Sequence, residues 1–163
     1  MGQRARLYPL VKRELSDADL MLFFPQLLPG TFRRSSDPTD DYNCIAFAAT
    51  ENDRTTWWWP VPDVKGNFWP RGVPRNLSLD SFIEAFETLG YQTCSDATLE
   101  PGLQKVALYV SNNGRPTHAA RQLPSGEWTS KLGRAQDIVH ATPQSLEGAQ
   151  YGTVAQVLKR SLP

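Results

Sequence analysis

Three short apolar runs separated by turn formers constrain this chain more than any other feature. KVALYV, THAARQL and EWTSKLG each read as a strand. SNNGRP and PSG between them read as tight turns, the first built on Asn113-Gly114. Turns this short force antiparallel neighbours, because a parallel connection needs a crossover of a dozen residues or more. An antiparallel meander is therefore expected from Lys105 to Gly133.

Helical spacing dominates upstream. SLDSFIEAFETLGY sets Leu79, Phe82, Ile83, Phe86 and Leu89 on one face, with Ser78 or Asp80 as cap and Gly90 as stop. SDADLMLFFPQLL starts at a candidate cap, Ser16, and Pro25 should end it. NCIAFAATEN is small and apolar and fits a short buried helix beginning at or beside Asn43-Cys44, capped by Asn43 or by Asp40-Asp41. GRAQDIVHATPQ is expected to be irregular. SLEGAQYGTVAQVLKR is expected to close the chain as a helix from about Ser145 or Thr153. Helices first and a small antiparallel sheet after them is an α+β order. A chain of 163 residues fits one domain, with an entry segment over 1–40 and a core over 41–160.

The stretch RTTWWWPVPDVKGNFWPRGVPRN holds four of the five tryptophans and is rich in proline, so it is neither helix nor regular strand. So much aromatic surface needs a packing partner, and an ordered loop is expected. Trp57, Trp58, Trp59 and Trp69 either line a groove for a peptide, glycan or planar ligand, or pack over the sheet and stiffen the loop.

Lys+Arg and Asp+Glu both number 17, a balance that argues against nucleic acid as the main partner and against a polybasic membrane surface. No apolar run approaches a membrane span of about 20 residues. MGQRARLYPLVKRELSDADL lacks an apolar stretch ending in a small-residue cleavage site, so no signal peptide is read and a cytoplasmic location is expected. Without an export signal, Cys44 and Cys94 are expected as thiols. Neither they nor the two histidines show a metal-ligand spacing, so no metal or cofactor is expected.

One constellation can carry chemistry. Cys44 falls at a predicted helix N-terminus, where free N–H groups favour a thiolate. A thiolate nucleophile needs a basic partner, and His118 opens a predicted strand. Asp137, just past the third strand, or Ser130 on it would orient the imidazole. Asn43 or the Cys44 N–H would serve as oxyanion site. His140 competes with His118 as base, Lys131 is a candidate anion contact, and Cys94 has no partner in view. The plain alternative is that Cys44 is a packed hydrophobe and His118 a structural residue.

The strings YNCIAFAA, WWWP, FWP, LGY, KVALYV, THAARQL, WTSKLG and DIVH, in this order, resemble a family of small, mostly bacterial proteins known as a domain of unknown function. The likeness covers roughly residues 40 to 160 and implies no settled activity. More distantly, helix-borne Cys, strand-borne His and a polar group on the next strand resemble the papain-like superfamily. That resemblance implies a papain-like core with N-terminal helices packed on the sheet. It implies a nucleophile at Cys44, a base at His118 and an orienting residue at Asp137 or Ser130. The expected function is a cysteine-dependent hydrolase or acyl-transferase acting on an amide bond of a peptide or protein. The expectation from a different class is a non-catalytic interaction module, such as an immunity or regulatory protein, binding a protein through the tryptophan-rich loop.

Overall fold

A computed structural model describes residues 12–50 and 55–163. Residues 1–11, the larger part of the stretch MGQRARLYPLVKRELSDADL in which no signal peptide is expected, lie outside the described residues, as do residues 51–54. The elements run α1 (Asp17–Phe23), β1 (Phe32–Arg34), α2 (Cys44–Ala49), β2 (Trp57–Trp58), β3 (Asn67–Phe68), α3 (Leu79–Glu87), β4 (Gln92–Cys94), β5 (Leu103–Val110), β6 (Pro116–Gln122), β7 (Trp128–Lys131), β8 (Asp137–His140), a 3-10 turn (Pro143–Leu146) and β9 (Thr153–Ser161).

The helices start where the capping chemistry puts them. Ser16, Asn43 and Ser78 each accept an N–H of the first turn of α1, α2 and α3. The meander is present as β5, β6 and β7, paired antiparallel. It is only the middle of the sheet. Seven strands line up in the order β1-β8-β7-β6-β5-β9-β4, every pairing antiparallel.

The expected α+β, papain-like core with N-terminal helices packed on a small sheet is overturned. The molecule is mostly antiparallel sheet with a few short helices. Three segments account for the difference. DIVH, read as irregular, is β8. FRR, in a stretch rich in turn formers, is β1 and pairs with it. The closing segment, read as helix, supplies a 3-10 turn and then β9, the longest strand, which pairs along all of β5. Thr153, Val154 and Val157 are β-branched and pack best on a pleated surface. Gly152, at φ +77, turns the chain into that strand so close to Val110 that only a glycine fits.

Alternation along each strand divides the interior into two cores. On one face Val106, Leu108, Ala119 and Leu158 pack under α2, α3 and the tryptophan loop. On the other, Ala107, Tyr109, Ala120, Trp128 and Ile138 pack under Leu15, Leu20, Phe24, Leu27 and Tyr151. Leu15 to Leu27 belong to the entry segment, so that stretch helps cover a core rather than merely leading into one. Among the described residues no helix is long and apolar enough to cross a membrane.

Candidate functional site

The face on which a side chain emerges decides what it can meet. Cys44 opens α2 and packs against the first core, with Sγ 4.0 Å from the carbonyl oxygen of Thr117 on β6. His118 is the next residue of β6 and points the other way. Its ring lies on Tyr151, with centroids 4.0 Å apart and planes 6° from parallel, and edge-on to Tyr109. Both tyrosines belong to the second core. The sheet thus stands between Cys44 and His118, and the expected nucleophile–base pair is not assembled.

Asp137 and Ser130 are divided in the same way. Ser130 lies with His118 on the second face, its Oγ 3.0 Å from His118 Nε2 and 2.8 Å from His140 Nε2. Asp137 pairs in register with Lys131, one residue out of phase with Ser130 and Ile138. It therefore emerges on the face of Cys44. There the hydroxyl of Tyr42 donates to Asp137 Oδ2 at 2.7 Å.

The first face thereby gathers Cys44, Tyr42, Asp137 and Lys131 around the start of α2. Lys131 is fully buried, donates to the carbonyl of Ala135 and stands 5.5 Å over the ring of Tyr42. Burial pushes its ammonium down to about 8, against the pull of Asp137 and then of the Cys44 thiolate. Burial pushes the Cys44 thiol up to about 11, against backbone N–H groups and Lys131. The balance runs opposite to that of an activated nucleophile, because the thiol keeps its proton at neutral pH.

Asn43 is committed as well. Its Oδ1 accepts from the N–H groups of Ala46 and Trp58, both at 3.0 Å, and its Nδ2 donates to Trp58 O at 2.8 Å. The amide that was expected at an oxyanion site clamps the tryptophan loop to α2. Trp58 and Trp69 are buried, Trp69 and Trp59 edge-on to Phe82 of α3. Trp57 is half-buried and its Nε1 donates to Asp40 O. The loop therefore follows the packing alternative for these two buried rings, leaving Val64 and Phe68 as its exposed apolar groups.

Sequence reading missed Tyr42 and Tyr151, which hold Asp137 and His118. Strand parity carried part of the signal, since Ser130 and Asp137 stand at opposite parity across a tight turn. Cys94 is half-buried, its Sγ 3.4 Å from Asp96 O. Among the described residues no group of three or more His, Cys, Asp or Glu is placed to hold a metal ion.

A family model described as a domain of unknown function (DUF7689) matches residues 33–159. No curated protein and no solved structure matches the chain. The match carries the domain-of-unknown-function part of the expected likeness. The papain-like part has no support.

Proposed function

The chain belongs to the domain-of-unknown-function family DUF7689, and we propose that it acts as a non-catalytic binding module for a peptide segment carrying basic and apolar side chains. The observation that carries this reading is a groove of about 740 Å³ between the end of the tryptophan loop and α3. Val73 and Ile83 give it an apolar strip, and Asp80, Glu84 and Glu87 line it with three carboxylates against one cation, Arg71. A peptide alternating Lys or Arg with aliphatic residues complements both features.

The loop wall is braced before any partner arrives. Trp69 Nε1 donates to Pro74 O at 3.1 Å, Arg75 donates to Pro60 O at 3.1 Å and pairs with Asp63 at 3.3 Å. A wall ordered in advance spares the association the entropy of ordering it. The rival reading, amide hydrolysis by Cys44 and His118, needs the two within hydrogen-bonding reach, and the sheet separates them.

The test is a fluorescence-polarisation screen of Lys/Arg-rich peptides. Binders are expected, weakened at least tenfold by the exposed substitution Glu84→Lys and unaffected by Cys44→Ala. Amide hydrolysis by the wild type that Cys44→Ala abolishes overturns the proposal, as does peptide binding indifferent to Glu84→Lys.

A further inference from the structure

On the face away from that groove, a chain of hydrogen bonds ties three buried side chains to the segment between β8 and β9. A carbonyl oxygen only accepts, so His140 Nδ1, 2.8 Å from Thr142 O, must carry a hydrogen. His140 Nε2 is then bare and accepts the Ser130 hydroxyl at 2.8 Å. Ser130 has spent its one hydrogen, so its oxygen accepts from His118 Nε2–H at 3.0 Å. His118 Nδ1 is left as a bare acceptor, and among the described residues it has no partner. The tautomer of each ring follows from a single carbonyl.

We propose that residues 142–152 form a strap that the His118–Ser130–His140 chain holds against the sheet, and that uptake of a proton by this chain releases it. Several contacts hold the strap to the sheet. Thr142 O accepts from His140, Pro143 O accepts from the Tyr109 hydroxyl, Tyr151 O accepts from Thr117 Oγ1, and the Tyr151 ring covers His118.

An added proton has nowhere good to go while the strap is shut. If His118 takes it, the new hydrogen sits on Nδ1. If His140 takes it on Nε2, the Ser130 oxygen accepts from both rings and its own hydroxyl hydrogen loses its acceptor. Either way a buried cation is made and an N–H or O–H is left without an acceptor, which is costly in an apolar core. The titratable groups packed beside these rings give no relief. Tyr109 and Tyr151 are phenols, burial keeps the Tyr109 proton in place, and Glu147 is taken up by the N–H of Val154. Lys131 and Asp137 lie across the sheet. Burial accordingly holds His118 well below the ordinary 6.5, with the charge of His140 adding to it, and holds His140 at about 4. Opening the strap gives both rings water, so the open form binds protons that the closed form refuses, and acid favours opening.

Two measurements on the whole chain test this. Long-range nitrogen–proton correlation spectra at pH 7 are expected to show the Nε2–H tautomer for His118 and the Nδ1–H tautomer for His140. The reverse for either ring overturns the wiring. Native-state hydrogen exchange then reads the strap through the amides of Gly148 and Gly152, which bond each other's carbonyls. Their protection is expected to fall at least tenfold per pH unit below about 6.5. It is expected to be insensitive to low urea and to stay below that of the α3 amides at every pH. Equal protection for strap and α3, or strap protection that ignores pH, overturns the proposal.

Discussion

The imidazole of His118 lies flat on the ring of Tyr151, 4.0 Å from centroid to centroid, with the whole sheet between it and Cys44. A neutral imidazole suits that stack and a cation there has no counter-charge. The unfolded chain therefore binds protons on both histidines below about 6.5, while the folded chain refuses one at His140 until about 4. Stability is complete above the unfolded value and is lost as pH falls through this window. His140 alone removes about 3 kcal/mol across it, at about 1.4 kcal/mol per pH unit. The partnered carboxylates act lower, Asp96 being held at about 2 first by its bonds to Thr98. Urea unfolding at pH 7, 6 and 5 checks the slope, and a stability that is level over that range contradicts it.

Cys44 is expected to be an unreactive thiol. Burial takes it from an ordinary 9.0 to about 11, which lowers its thiolate fraction at pH 8 about a hundredfold. Iodoacetamide should alkylate Cys44 in the native protein at least that much more slowly than in the urea-unfolded chain. Faster native labelling would mean that the thiol is activated and that the catalytic reading has to be reopened.

Asn43 joins three groups through one amide. Asn43→Ala removes a helix cap, worth about 1 kcal/mol, and strands the buried N–H and C=O of Trp58, worth about 1–3 kcal/mol more. A total near 3 kcal/mol is expected in urea unfolding, together with a red shift of tryptophan emission as the loop lifts from α2. Asn43→Asp keeps both accepting roles and should recover about half of the loss. An Asp variant as damaged as the Ala variant would show that the two bonds to Oδ1 contribute little.

Much of this architecture was legible locally, and the failures have a common cause. Ser16, Asn43 and Ser78 were readable because a cap is settled by residues three apart. The strands around Asn113-Gly114 and PSG were readable because a hairpin is settled by its turn. TVAQVLKR was not, because Val154, Val157 and Leu158 satisfy a helical period as well as a strand, and only pairing with Leu103–Val110, some fifty residues away, decides between them. The Cys44–His118 pairing failed for a related reason. Parity within THAARQL shows that Thr117 and His118 face opposite ways, but nothing local says which face α2 covers.

Gly152 and Gly114 separate backbone strain from steric exclusion. Both sit at positive φ, +77 and +80. A Cβ on Gly114 meets nothing within 4 Å, whereas one on Gly152 would stand 1.9 Å from the carbonyl oxygen of Val110. Gly114→Ala should cost about 1–2 kcal/mol, the left-handed penalty alone. Gly152→Ala adds a backbone collision where β9 enters the sheet beside β5, and a loss above about 4 kcal/mol or failure to fold is expected. Similar thermal midpoints for the two variants would show that the approach of Gly152 to Val110 relaxes at little cost.

Lys131 faces Asp137 in register inside the first core, and its alkaline behaviour follows from its burial. The folded chain releases the Lys131 proton near 8, the unfolded chain near 10.5, so from pH 8 upward the unfolded state binds more protons and stability rises. Cys44 works against this from 9.0 to about 11, where the folded state holds the extra proton. The two together predict a gain of about 1 kcal/mol between pH 8 and 9 and a plateau just beyond it. Lys131→Met should abolish the gain and cost about 3–5 kcal/mol at pH 7, because the buried Asp137, which accepts from the Tyr42 hydroxyl, loses the cation facing it. Adding Asp137→Asn to Lys131→Met removes that charge and should return most of the loss. Urea unfolding of the three proteins at pH 7, 8 and 9 decides it. If the double variant is no more stable than the single one, the cost lies in lost packing of the lysine stem and the buried pair is not what couples these strands to pH.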